Sequence, residues 1–270
     1  MKTPQTAVIV STYHHTMEGE GLKNLLSYNN QNFDNFFVLF DNKLNKQQKE
    51  VSEAYGKANI CLYNEVDFNN NNFNRPISSS HHWGKPKNST YCQNPNYFYA
   101  HHRMMIFYLK NPNFDYYWFF DDDVTFMGNL NEFIRSYQNY MIDFLAIQMF
   151  KKEDYGNELP HVSKINERMW SGGHWLSYAP GPGDNYKTTE RHLGSFFPVV
   201  RFSAKALTYL IEVNKEGYFG YSEGFVPTTI ASTPGFKVAS ILNENDEYFL
   251  PSTVNCEIKH KGLRFDWTLI

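Results

Sequence analysis

Short apolar runs alternate with amphipathic stretches through the first half of the chain, and this alternation restricts the fold more than any other feature. Ala7–Ser11, Phe36–Phe40 and Ala58–Tyr63 are compact strand-like runs, with helix-like stretches at Gly21–Ser27 and Lys46–Tyr55 between them. Tyr97–Leu109 resumes helical spacing, with Met104, Met105 and Tyr108 on one face and Asn111-Pro112 as its stop. Tyr116–Phe120 then forms an aromatic strand. Strand and helix in turn predict an α/β fold: a mixed, mostly parallel, Rossmann-like sheet flanked by helices. The polar segment 69–96, rich in Asn, Ser, Pro and His, is expected to be an irregular loop.

The second half is less regular. Asn131–Tyr140 reads as a helix, and Phe144–Met149 and Phe196–Val200 read as strands. Ser203 is a credible N-cap for a helix carrying Leu207, Leu210 and Ile211, which Gly217 and Gly220 end. No internal repeat or sharp change of composition divides the 270 residues, so a single domain spanning 1–270 is expected.

Net charge bounds the partners. With 25 basic and 28 acidic residues the sum is −3, which argues against a nucleic-acid binder working through a basic face. The aromatic share of 17% exceeds what a core needs, so some rings are expected to line clefts. Cys61, Cys92 and Cys256 make no C-x-x-C pair, and three free thiols suggest a reducing cytosol. No stretch approaches the length of a spanning helix, so a cytoplasmic protein without a transmembrane segment is expected.

The chemistry concentrates where the aromatic strand runs into Asp121-Asp122-Asp123. In open α/β sheets ligands sit beyond the carboxyl ends of the strands. Three adjacent carboxylates repel unless a cation neutralises them, and a hard divalent ion takes one or two carboxylates plus phosphate oxygens and water. If the chain stays extended, Asp121 and Asp123 face the ion together and Asp122 faces away. A strand-ending turn whose acids cap a helix is the bland alternative, although a cap needs only one acid.

A strand followed by Asp-x-Asp, after a Rossmann-like front half, resembles the metal-dependent glycosyltransferases of the GT-A fold. That resemblance implies a nucleotide-sugar donor, with UDP-sugar foremost, a Mn²⁺ or Mg²⁺ ion bridging its diphosphate, and a hydroxyl acceptor such as a glycan. It also implies a nucleotide-binding half at 1–125 and an acceptor or sugar half at 126–270. On it, Asp121 and Asp123 would hold the metal, with Asp121 and Asp122 near the nucleotide. His260, in Lys259-His260-Lys261, would be a third ligand and Lys261 a phosphate partner, unless this stretch is a solvated tail. Ser11, Thr12 and Tyr13 end the first strand, where Tyr13 could stack on the base, and Asp41 ends the second, placed to accept from base or ribose. Arg103 is a candidate diphosphate or sugar contact, or else a surface residue.

Downstream, Glu223 lies between Gly220 and Gly224 at a helix start, among Tyr221 and Phe225. Inverting transfer needs a carboxylate base for the acceptor hydroxyl, which makes Glu223 the catalytic candidate, while a retaining mechanism, whose groups leave no clear spacing to read, stays open. A helix-start Glu is also favoured by the macrodipole alone. Trp170, His174, Trp175 and Tyr221 belong to an aromatic, glycine-rich stretch suited to sugar faces, or to a loop packed by its own rings. His101-His102 lacks the i, i+4 spacing of a helical ligand pair, and a zinc reading is declined. Two other classes stay open. One is a non-catalytic carbohydrate-binding protein. The other is a nucleotidyltransferase making sugar nucleotides, which the absence of a Gly- and Arg-rich loop in Ser11–Glu18 disfavours.

Overall fold

A computed structural model describes residues 3–13, 19–28, 35–43, 46, 48–55, 58–74, 99–151, 185–187, 193–241, 256–260 and 263–267. The front half follows the alternation. Strands β1 (Thr6–Thr12), β2 (Phe36–Asp41), β3 (Asn59–Tyr63) and β4 (Tyr116–Asp121) are interleaved with helices α1 (Glu20–Ser27), α2 (Gln48–Tyr55), α3 (Glu65–Asn70) and α4 (Ala100–Lys110). After β4 come β5 (Val124–Gly128), α5 (Leu130–Ser136), β6 (Phe144–Ala146), β7 (Met149–Lys151), β8 (Leu193–Ser195) and β9 (Val199–Ser203). The remainder is α6 (Ala204–Lys215), α7 (Ser222–Ala231), β10 (Val238–Ser240), β11 (Cys256–His260) and β12 (Leu263–Trp267).

Seven strands form the main sheet in the order β10-β6-β9-β4-β1-β2-β3. All its pairings are parallel except those of β9, which runs against both β4 and β6. The chain winds from β1 outward through β2 to β3, then returns to place β4 on the other side of β1. The crevice between the ends of β1 and β4 is therefore a topological switch point, the place where such sheets bind ligands.

Period-two alternation sorts the side chains into two cores. Val8, Val10, Phe36, Val38, Phe40, Trp118 and Phe120 face one layer, built with α1, α2 and α5. Ala7, Ile9, Leu39, Cys61, Tyr63, Tyr117 and Phe119 face the other, built with α4, α6 and α7. Much of the aromatic excess is consumed here, because Trp118 packs on Phe133 at 5.2 Å and Phe107 on Phe119 at 6.0 Å.

Several boundaries differ from the sequence expectation, each for a local reason. Residues 65–70 form α3, capped by Asn64, whose side chain accepts from Val66 N at 3.0 Å while Asp67 accepts from Asn64 N at 2.9 Å. The helix expected to reach Tyr140 stops at Ser136, because the Arg201 guanidinium draws off the carbonyls of Tyr137, Tyr140 and Ile142. The run 144–149 divides: Phe144–Ala146 pairs with β9, then Met149 pairs with Ser195 in a separate ribbon. The strand expected at 196–200 is displaced into β8 and β9. Ser203 is the expected N-cap, accepting from Ala206 N at 3.0 Å.

Candidate active site

The carboxyl ends of four adjacent strands carry the polar side chains of the candidate site. On the face covered by α4, the same alternation that buries Ile9 and Phe119 brings Ser11 beside Asp121 in parallel register. Asp41 is likewise beside Tyr63. Arg103 rises from α4 into this row. Helix α4 leads into β4 and runs against it, so its N-terminal half lies at the carboxyl edge of the sheet. Arg103 is 17% exposed and is ion-paired through Nη2 to Asp121 Oδ1. Burial alone would lower its affinity for a proton, but Asp121, Tyr63, Asp122 and Asp41 outweigh that and raise it, so its charge is secure. Two donors on this face have no partner among the described residues: Arg103 Nε and Ser11 Oγ, the latter on a residue 3% exposed. Asp41 is 5% exposed and meets Lys43 Nζ at 3.2 Å.

The opposite face holds the second acid. Asp122 Oδ2 accepts from Thr12 Oγ1 at 2.6 Å. Thr12 is also hydrogen-bonded to Tyr55 at the end of α2, whose phenol is raised by burial and by the charge on Asp122, against that bond. Chain geometry corrects one expectation here. Strand β4 ends at Asp121, and Asp122-Asp123 form a turn into β5, so strict alternation does not carry through to Asp123. Asp121 and Asp122 are instead divided between the two layers.

Helix α1 closes the turn from behind. A Cβ on Gly21 would lie 2.7 Å from Val124 O and 2.8 Å from Asp122 O, so only glycine permits the approach. Asn24 Oδ1 accepts from Phe126 N at 2.8 Å, fastening the same helix to β5. On the far side of β5, β11 pairs antiparallel with it and sets His260 opposite Val124, the residue after Asp123. The backbone of His260 is thus beside the acidic turn, while its side chain and Lys261 lie outside the described residues, as do Trp170, His174 and Trp175.

Glu223 opens α7, which packs against the start of α4. His101, two residues before Arg103, meets Ser222 Oγ through Nδ1 at 2.9 Å. This contact ties the first turn of α7 to the sheet edge that carries Asp121. Pro227 has no N–H to give the Glu223 carbonyl, which accepts from Ser195 Oγ at 3.4 Å. Tyr221 is buried against Tyr99 and Phe219, whereas Tyr13 stands 59% exposed beyond the end of β1. Tyr55, Tyr63, Lys43 and Gly21 were not singled out from the sequence. Their roles depend on which strand ends become neighbours, and a buried Tyr at the end of an amphipathic helix reads as ordinary core.

Among the described residues, no three His, Cys, Asp or Glu side chains gather into a ready cage for a metal ion. The hard carboxylate oxygens of the turn suit Mg²⁺ or Mn²⁺, which draws its remaining ligands from phosphate and water. The donor set therefore fits such an ion. Among the described residues, no helix is long and apolar enough to cross a membrane.

No family model matches the chain, and no curated protein sequence matches it. Solved structures with a similar fold include the following three. Mouse xyloside xylosyltransferase 1 in its apo form is 10% identical over 88% of this chain and 85% of that one, with a TM-score of 0.44. A putative glucose-1-phosphate thymidylyltransferase from Bacillus anthracis is 7% identical over 87% of each chain, with a TM-score of 0.46. Glucosyl-3-phosphoglycerate synthase from Mycobacterium tuberculosis, in complex with Mg²⁺ and uridine diphosphate, is 12% identical over 76% of this chain and 58% of that one, with a TM-score of 0.34. Likeness at this distance carries no argument about chemistry, which has to rest on the residues.

Proposed function

We propose that this chain is a glycosyltransferase that moves a sugar from a nucleotide-sugar, with UDP-sugar foremost, to a hydroxyl of a glycan acceptor, assisted by Mg²⁺ or Mn²⁺. The observation that carries the reading is the acidic turn Asp121-Asp122-Asp123 at the switch point of the sheet, with Arg103 beneath it. Anionic and cationic groups side by side at a strand edge suit a ligand that is itself a phosphate–metal pair.

In this reading Asp121 and Asp123 hold the ion, with His260 as a third ligand and Lys261 on a phosphate. The ion supplies Lewis-acid stabilisation of the departing nucleoside diphosphate. Asp41 accepts from base or ribose, Tyr13 offers its exposed ring to the base, and Ser11 and Thr12 form the floor between them. Arg103 has a vacant Nε–H for a phosphate or sugar oxygen while Nη2 stays on Asp121. Glu223 accepts the acceptor hydroxyl's proton as that oxygen bonds to the anomeric carbon and the bond from that carbon to the phosphate oxygen breaks. One displacement inverts the anomeric centre. Trp170, His174, Trp175 and Tyr221 complete the sugar side, with residues 1–125 serving the nucleotide and 126–270 the acceptor.

The deciding experiment is donor hydrolysis and transfer with UDP-sugars over a Mn²⁺ titration. Asp123→Ala is expected to lower the metal-dependent rate by about a hundred-fold or more, the several kcal/mol typical of a ligand to a catalytic ion. An unchanged rate in Asp123→Ala rejects the proposal. Glycan binding with no nucleotide binding would instead identify a carbohydrate-binding module.

A further inference from the structure

From Tyr221 to Ile230 every residue is buried except Glu223, which is half-buried. The direction in which that carboxylate leaves α7 is set by how the helix is turned about its axis. Apolar contact is non-directional, whereas a hydrogen bond prefers a nearly straight donor line, so polar contacts define that rotation most sharply. Near the middle of the helix, Thr228 Oγ1 accepts from Leu193 N and donates to Leu193 O, each at 3.0 Å. At the first turn, Ser222 Oγ meets His101 Nδ1 at 2.9 Å and accepts from His101 N at 3.3 Å. The buried His101 ring also packs against Phe225, further along α7, with centroids 5.5 Å apart. Successive residues of a helix are about 100° apart, so holding Ser222 also aims its neighbour Glu223.

We propose that His101 is a positioning residue that, through Ser222, fixes the direction of Glu223 relative to the acidic turn. The inference rests on the reading of Glu223 as the base and adds a residue that acts from the interior. His101 and Arg103 belong to the same helix, about 3 Å apart along its axis, and Arg103 is ion-paired to Asp121. Helix α4 therefore refers both the acidic turn and the first turn of α7 to one rigid element. Tyr99, which precedes α4, packs on Tyr221, which precedes α7, and joins the two helix starts a second time. In an inverting displacement the base and the departing phosphate act on opposite faces of one carbon. Their relative placement then governs the rate, because a shift of about 1 Å can cost a hundred-fold. A histidine here supplies what a packed phenylalanine would not: a directional contact with α7 from the helix that meets Asp121.

The test is Mn²⁺-dependent hydrolysis of UDP-glucose, UDP-galactose and UDP-N-acetylglucosamine, with water standing in for the acceptor hydroxyl and thermal unfolding measured alongside. The donor that wild type turns over fastest is carried through the variants. Ser222→Ala removes one oxygen, and His101→Phe keeps a ring without its nitrogens. Each is expected to lower kcat by about ten-fold and to leave the donor KM unchanged, as loss of placement in the transition state alone would. His101→Asn, which keeps a polar atom near the place of Nδ1, should retain more of the rate than His101→Phe. The double variant Ser222→Ala/Glu223→Gln should be no slower than Glu223→Gln, because the effect passes through Glu223. A purely structural role would lower the unfolding temperature and leave kcat per folded molecule alone. Should His101→Phe fail to fold, Ser222→Ala carries the test. If Ser222→Ala keeps kcat within about two-fold of wild type while Glu223→Gln abolishes it, the inference is overturned and the base reading stands. If Glu223→Gln turns over like wild type, or wild type hydrolyses none of these donors, both are overturned.

Discussion

Arg201 lies in the middle of β9, 1% exposed, with its guanidinium 4.3 Å from the Tyr116 ring centroid and Trp118 beyond it. It donates to Tyr137 O at 2.6 Å, Tyr140 O at 2.9 Å and Ile142 O at 3.1 Å. Tyr137 O caps the end of α5 and the other two lie in the segment that leads into β6, so one buried cation ties that segment to the sheet. Burial pulls its pKa down to about 10, which still leaves it charged at neutral pH. Arg201→Met should cost about 1–3 kcal/mol in urea unfolding, because it removes three bonds to carbonyls and keeps only the packing of the stem. Donor binding at the distant acidic turn should survive in the folded fraction. Sequence reading missed Arg201 entirely. An arginine within a valine-rich strand has no local signature, since its partners lie in another element.

At the scale of elements, legibility follows the range of the cause. The front strands could be read because their alternation is local, and Ser203 because a cap acts over one turn. Helix α3 was not foreseen, because its cap, Asn64, stands apart from the asparagine run in which the helix ends. Strands β5, β11 and β12 were not foreseen, because each is held chiefly by its neighbours in a three-stranded sheet. Of the candidate site, the acids of the turn, Arg103 and Asp41 were visible as strand-end or helix-face chemistry, whereas the division of Asp121 and Asp122 between layers required the fold. The meeting of α1 with the acidic turn belongs to this scale. Gly21→Ala should destabilise the protein by about 1–3 kcal/mol, the usual cost of forcing atoms into filled space. Circular dichroism should show secondary structure retained, and urea titration should show the loss. A variant as stable as wild type would mean that helix and turn are not in contact.

The whole molecule carries a pH dependence that originates far from the site. Cys61, on β3 under the end of α4, has its thiol pushed from an ordinary 9.0 to about 11, chiefly by burial. Nearby Lys110 and a bond from Asn111 only partly oppose that shift. Because the folded value lies above the unfolded one, this contribution is whole below pH 9 and is lost as pH rises towards 11. The span corresponds to about 3 kcal/mol. Unfolding midpoints measured from pH 8 to 11 should therefore fall more steeply for wild type than for Cys61→Ala, and parallel curves would count against a buried thiol.

The pairing of β11 with β5 also bears on the order of assembly. Synthesis releases β1 to β4 early, and their contacts can form while the rest of the chain is still being made. The outer edge of β5, directly after the acidic turn, waits for a partner from near the other end of the chain. Until β11 arrives, a strand edge stands open beside three carboxylates, and their charge discourages other chains from adding to it. The rim that carries the acidic turn is thus among the last parts of the molecule to be completed. In a refolding experiment, Mn²⁺-dependent ligand binding should lag behind the recovery of the main sheet.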